Sequence, residues 1–216
     1  MTRVISIISL GEGTGKTTLA LNLGMTLHNM NSRVLVFDTD FTKHNMLEHL
    51  DIHTLPVTIG DVMEGKSHIN DAIYRHTTGL RILPSMIHGY TDLSYMQDLL
   101  GDYDFILLDT PKEPEHLNIL LRNSDEAIII HNPKYSSKLV KDAIDLLRRC
   151  RLANLGIVLN EAVEESVDEI FGVPVLIKIQ SDKNIAKSFE LNNPVVHTHP
   201  NSEASKKFNR LAEKIN

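Results

Sequence analysis

Lys16 and Thr17 lie in the stretch SLGEGTGKTTLAL, residues 9–21, whose residue types and spacing could hold a chain of phosphates. A glycine-rich turn between a strand and a helix points successive backbone N–H groups, and the positive end of the helix dipole, at phosphate oxygens. The apolar run Val4–Ser9 supplies the strand, Gly11, Gly13 and Gly15 the turn, and Lys16-Thr17-Thr18-Leu19-Ala20 the start of the helix. Lys16 would reach the β- and γ-phosphates as a point charge, with the Thr17 hydroxyl as a Mg²⁺ ligand. The strict pattern G-x-x-x-x-G-K-[ST] fails at one place, because residue 10 is Leu10. The strand–loop–helix context still argues for nucleotide binding, with Glu12 and Thr14 in the cradle beside the three glycines.

Two further apolar runs end in carboxylates. VLVFDTDF places Asp38 and Asp40 at the end of one, and FILLDTP places Asp109 at the end of another. In open α/β sheets ligands bind beyond the carboxyl ends of the strands, so these acids would face the same crevice as the loop. One of Asp38 and Asp40 could orient an attacking water or the magnesium shell, and Asp109 has the form of an acid that holds Mg²⁺ through water. A single strand-end Asp is more simply a turn or helix cap. Three together with a phosphate loop favour the site.

The elements that must position these residues follow from periodicity. Short apolar runs at Val4–Ser9, Val34–Asp38, Leu80–Leu83, Phe105–Asp109, Ala127–His131, Gly156–Asn160 and Val175–Ile179 alternate with helical stretches. KLVKDAIDLLRRC, residues 138–150, puts Leu139, Ala143, Leu146 and Leu147 on one stripe, and Ala204, Phe208, Leu211 and Ile215 do the same near the C-terminus. Residues 53–101 are the least regular and predict only short helices. The expectation is an α/β, single-domain P-loop fold over residues 1–216: a twisted, mainly parallel sheet with helices on both faces.

Composition narrows the function. The chain has 216 residues, 42% of them hydrophobic, and no run of about 18 apolar residues, which predicts a soluble, cytoplasmic protein. A single cysteine, Cys150, leaves no disulfide framework and no thiol cluster for metal. His197-x-His199 is a weak metal pair at most, and scattered surface histidines are the plainer reading. A formal net charge of -6 gives no global attraction to DNA or to an anionic membrane. The local sets Lys206, Lys207, Arg210, Lys214 and Arg148, Arg149, Arg151 read as solvated helix faces, so DNA is an unfavoured partner.

The order GEGTGKTT, VLVFDTDFTKHN, FILLDTP, IHNPKYSS, GIVLNE resembles the MinD/ParA family of deviant-Walker ATPases, on the archaeal MinD side, over essentially the whole chain. TIGDVMEG, INDAIY and SDKNIAKSFELNNPVV fit the same branch. The resemblance implies ATP/ADP and Mg²⁺ as ligands, a nucleotide-sandwich homodimer, slow ATP hydrolysis as a timing switch, and a protein partner in a division, partitioning or positioning role. It assigns Lys16 and Thr17 to phosphate and magnesium, Asp38 to water activation, Asp40 and Asn45 to the first switch, and Asp109 to the metal. Asn160 would read adenine, its amide offering a paired donor and acceptor to a base edge, with Asp182 a weaker second base contact.

Two departures bear on activity. The family's signature lysine, five residues before Lys16, is Gly11 here, and Glu12 follows where the family has glycine. A cation reaching across a dimer in this way resembles an arginine finger, worth about 10³–10⁵ in rate. Its loss should slow hydrolysis and weaken dimerisation while leaving binding intact. The family's PAG after Asp109 is replaced by Pro111-Lys112-Glu113-Pro114-Glu115, in which Lys112 either supplies part of the missing charge or is simply solvated. The sequence as read, with its packing face near Ile215, predicts no membrane-targeting tail. The competing readings are a binding module that holds nucleotide without turnover and a DNA-associated partitioning ATPase. A metal-insertion or transferase ATPase lacks the cysteine pair or second pocket it would need.

Overall fold

The computed structural model describes residues 1–40, 45–85, 94–163 and 167–216. Nine strands form one sheet: β1 (Arg3–Ile8), β2 (Val34–Asp38), β3 (Tyr74–Arg75), β4 (Arg81–Leu83), β5 (Phe105–Asp109), β6 (Glu126–His131), β7 (Ala153–Asn160), β8 (Glu169–Ile170) and β9 (Val173–Ile179). Their order is β3-β4-β2-β5-β1-β6-β7-β9-β8, parallel throughout except for the two-residue strands β3 and β8, which pair antiparallel at the edges. This is the single-domain, mainly parallel α/β fold expected from the alternating runs. The two short edge strands carry no apolar run and were invisible to periodicity. β7 begins at Ala153, ahead of the expected Gly156, because the ladder with β6 continues past a register shift.

Side-chain alternation builds a core on each side of the sheet. Ile5, Ile7, Val34, Val36, Phe105 and Leu107 face α1 (Lys16–Asn29) and α8 (Glu203–Ile215), whose Leu23, Leu27, Phe208 and Leu211 are buried against them. Leu35, Phe37, Ile106 and Leu108 face the opposite way, toward short helices within residues 59–99 that include α3 (Ile59–Met63). On that second face, α4 (Pro114–Leu121) and α5 (Lys138–Cys150) cover β6 and β7. In α5 the buried stripe is Val140, Ala143, Ile144, Leu146 and Leu147, while the expected Leu139 is half-buried toward the phosphate loop. The remaining helices are α2 (Asn45–His49), α6 (Lys183–Glu190) and α7 (Val195–Thr198). No helix among the described residues is long and apolar enough to cross a membrane.

The chain leaves β1 to form α1 and β2 on one side of β1, and leaves β5 to form α4 and β6 on the other. The carboxyl end of β1 is therefore where strand order reverses, the place at which such sheets open a ligand crevice. The helix leaving that point is seated closely: a Cβ on Gly24, in the middle of α1, would lie 2.5 Å from Val36 Cγ2. Gly24→Ala should destabilise the protein by about 1–3 kcal/mol in urea unfolding despite alanine's better helix propensity. A stabilised variant would contradict this close approach.

Candidate functional site

The loop between β1 and α1 is shaped by residues that only glycine suits. Gly13 and Gly15 hold φ of 61° and 98°, and a Cβ on Gly15 would lie 2.6 Å from the Asn160 amide nitrogen. That amide donates a hydrogen bond of 2.9 Å to the Thr14 carbonyl oxygen, so the end of β7 pins the loop. Gly15 caps α1 with no side-chain hydrogen bond, and no acid occupies the helix's first turn. The first N–H groups and the dipole are left to an anion. The cavity in front of them is about 360 Å³ and is lined by the loop from Glu12 to Thr18 together with Asp40 and Asp109.

Two acids stand beneath it. Asp38 and Asp109 are opposite each other in the β2–β5 register, 1% and 2% exposed. By strand parity Asp38 continues Val34 and Val36, and Asp109 continues Phe105 and Leu107, so both belong to the α1 face. The Thr17 hydroxyl donates to Asp109 Oδ2 at 2.6 Å. Asp38 Oδ1 accepts the Asp40 N–H at 3.1 Å, while Thr39 donates from its N–H and hydroxyl to the Asp109 carbonyl, fixing the two strand ends. Among the described residues, Asp38 Oδ2 and Asp109 Oδ1 are buried without a hydrogen-bond partner, as is the Thr14 hydroxyl. Buried oxygens of this kind are costly alone and fit a hard divalent cation with its water.

Electrostatics agree with that fit. Burial, then the neighbouring Asp109 charge, pushes the Asp38 carboxyl well above the usual range. Burial raises Asp109 as well, opposed by the Thr17 hydroxyl and by Lys16. Burial lowers Lys16, partly offset by Asp109, Asp40 and Glu113. A carboxyl raised on folding contributes its stability at low pH and loses it as pH rises through its folded value. Asp38→Asn should therefore stabilise the ligand-free protein by about 0.5–2 kcal/mol at pH 8, with the gain fading toward pH 4, as thermal unfolding across that range would show. A pH-independent gain would contradict the charge origin.

The other sequence candidates are distributed unequally. Asp40 lines the cavity, whereas the Asn45 side chain lies outside the described residues. Asp182 is an N-cap: Oδ1 accepts from the Asn184 N–H at 2.9 Å and Oδ2 from the Ala204 N–H at 3.1 Å, tying α6 to α8 beside a separate cavity of about 800 Å³. Gly11 is buried, donates its N–H to Ser9 Oγ at 3.1 Å, and leaves room for little more, since a Cβ there would meet Thr14 Cγ2 at 2.9 Å. Lys112 Nζ lies 3.3 Å from Glu12 Oε2. His49 and Phe189, absent from the sequence candidates, line the cavity as an edge-on pair with centroids 4.4 Å apart. They are far apart in the chain, and no local pattern marks them. Lys206 pairs with Glu203, Arg148 with Asp145, and Lys214 with the Leu176 carbonyl. Among the described residues no group of three or more His, Cys, Asp or Glu forms a metal cluster.

Comparison with known proteins agrees with this geometry. The profile of an AAA domain family matches residues 2–155. An uncharacterized ATP-binding protein of Methanocaldococcus jannaschii is 27% identical over 237 residues, covering 100% of this chain and 88% of the relative. The septum site-determining protein MinD of Pyrococcus horikoshii, solved with Mg-ADP, superimposes with a TM-score of 0.85 at 30% identity, covering 100% of this chain and 96% of that one. MinD in the MinC:MinD complex of Aquifex aeolicus gives a TM-score of 0.85 at 25% identity, covering 99% and 95%. The fold is thus shared with MinD over the whole length of this chain, and the chain belongs to the MinD/ParA branch of the AAA-domain P-loop ATPases.

Proposed function

We propose that this protein is a MinD-like nucleotide switch: it binds ATP or ADP with Mg²⁺ in the loop cradle, hydrolyses ATP slowly, and presents a nucleotide-dependent surface to a protein partner. The observation that carries the reading is the Thr17–Asp109 hydrogen bond beneath an uncapped helix N-terminus, with Lys16 at its mouth. It is supported by the Mg-ADP complex of the Pyrococcus relative and by the MinC complex of the Aquifex one.

In this account the loop N–H groups and Lys16 hold the phosphate chain. Thr17 and Asp109 would hold Mg²⁺, which would supply charge neutralisation for the phosphates, and Asp38, part of the acidic floor, would orient the attacking water. Asn160 fixes the loop through Thr14 and would be the base contact, whereas Asp182, with both oxygens engaged at the cap of α6, would be a weaker one. Gly11 presents no ammonium to a second subunit, so hydrolysis is slow and nucleotide-driven homodimerisation weak. A module that holds nucleotide without turnover is favoured by that same glycine, and phosphate release separates the two readings.

Calorimetric titration with Mg-ADP should show that Lys16→Ala weakens binding by about ten- to a hundredfold, the loss of one charge-assisted contact. Equal affinity in parent and variant would remove the loop from the site. Slow phosphate release from ATP by the parent, lowered further by Asp38→Ala by a larger factor than any loss of Mg-ADP affinity, is the expected catalytic signature. Release by Asp38→Ala at the parent rate would take Asp38 out of the reaction.

A further inference from the structure

The pair Lys112–Glu12 joins the phosphate loop to the segment that follows β5, at the rim of the cavity. Glu12 is a loop residue on the cavity wall, and Lys112 belongs to the segment leaving β5 three residues after Asp109. Their charged atoms are 3.3 Å apart, with the side chains 62% and 38% exposed, so the pair is wetted at the rim. The backbone around Lys112 has little slack. Thr110 is held by a 2.7 Å hydrogen bond from its hydroxyl to the Ile7 carbonyl, Pro111 is buried, and Pro114 starts α4. The Lys112 ammonium is near enough to Lys16 to disfavour that residue's charge, which places both cations around one space.

Beside Lys112, Glu113 Oε2 is buried without a hydrogen-bond partner among the described residues, and Glu113 also acts on Lys16. Glu12 and Asp40 on the wall and Asp109 at the floor make the cavity rich in acids, and the cations Lys16 and Lys112 act around it. A third phosphate entering that mouth repels Glu12 and attracts Lys112. An exposed ion pair is easily exchanged, and an ammonium–phosphate contact is the stronger one. Gly11, packed against Thr14, leaves this ammonium as the available substitute for a loop cation at that position.

We propose that Lys112, parked on Glu12, is the chain's own cation for the terminal phosphate of a nucleoside triphosphate. Its transfer from Glu12 to that phosphate is how the segment after β5 distinguishes triphosphate from diphosphate within one subunit. The inference rests on the nucleotide reading above.

The test measures binding of N-methylanthraniloyl-labelled ADP and a labelled non-hydrolysable ATP analogue at saturating Mg²⁺ and fixed ionic strength. The chain has no tryptophan, so the labelled nucleotide reports against little intrinsic emission. Lys112→Met should weaken the triphosphate about tenfold while leaving the diphosphate within about twofold. Glu12→Gln should tighten the triphosphate by up to about fivefold, a gain that disappears in the double variant. Diphosphate affinity reports in each case that the loop is intact. Equal losses for both nucleotides in Lys112→Met, or a Glu12→Gln gain that persists without Lys112, would overturn the transfer and leave Glu12 as a repelling charge only. Failure of the parent to bind either nucleotide would instead overturn the nucleotide reading, and this inference with it.

Discussion

The burial of two carboxylates side by side, Asp38 and Asp109, is the constraint on which the rest of the structure depends. Each ends a fully buried strand, each sits directly opposite the other, and each leaves an oxygen without a hydrogen-bond partner among the described residues. A fold selected for stability alone would not place two acids there, since desolvating them is costly unless something positive is shared between them. The sheet order supplies the place for that charge. By reversing direction at β1, it brings the helix N-terminus, Lys16 and Thr17 over the same point.

The loop above those acids is held from outside as well as within. Asn160, at the end of a strand 146 residues from Thr14, donates to the loop carbonyl, and Gly15 is needed so that the amide can come so near. Gly11 belongs to the same packing, because its missing side chain is space that Thr14 uses. Restoring a lysine at position 11 would therefore have to move Thr14.

Much of this was legible in the sequence because it is local. The glycine spacing, the Lys-Thr pair and the acids after apolar runs are encoded within a few residues, and strand parity places both acids on one face. The alternation of runs and helices gave the mainly parallel sheet for the same reason. What escaped is long-range or weakly patterned. β3 and β8 are two-residue strands that only their partners define, and His49 meets Phe189 from helices distant in the chain. Asn160 was read as a base contact because resemblance implied it, whereas its hydrogen bond to Thr14 depends on a tertiary approach that spacing does not reveal. Lys112 was visible as a candidate cation, but its contact with Glu12 required the fold.

The most direct measurement is a crystal structure of the chain with Mg²⁺ and a non-hydrolysable ATP analogue. The account predicts phosphates over the N–H groups of residues 11–18, the cation beside Thr17, Asp38 and Asp109, and the loop conformation at Gly13 and Gly15 retained. Nucleotide bound elsewhere, or a cation away from both strand-end acids, would contradict it.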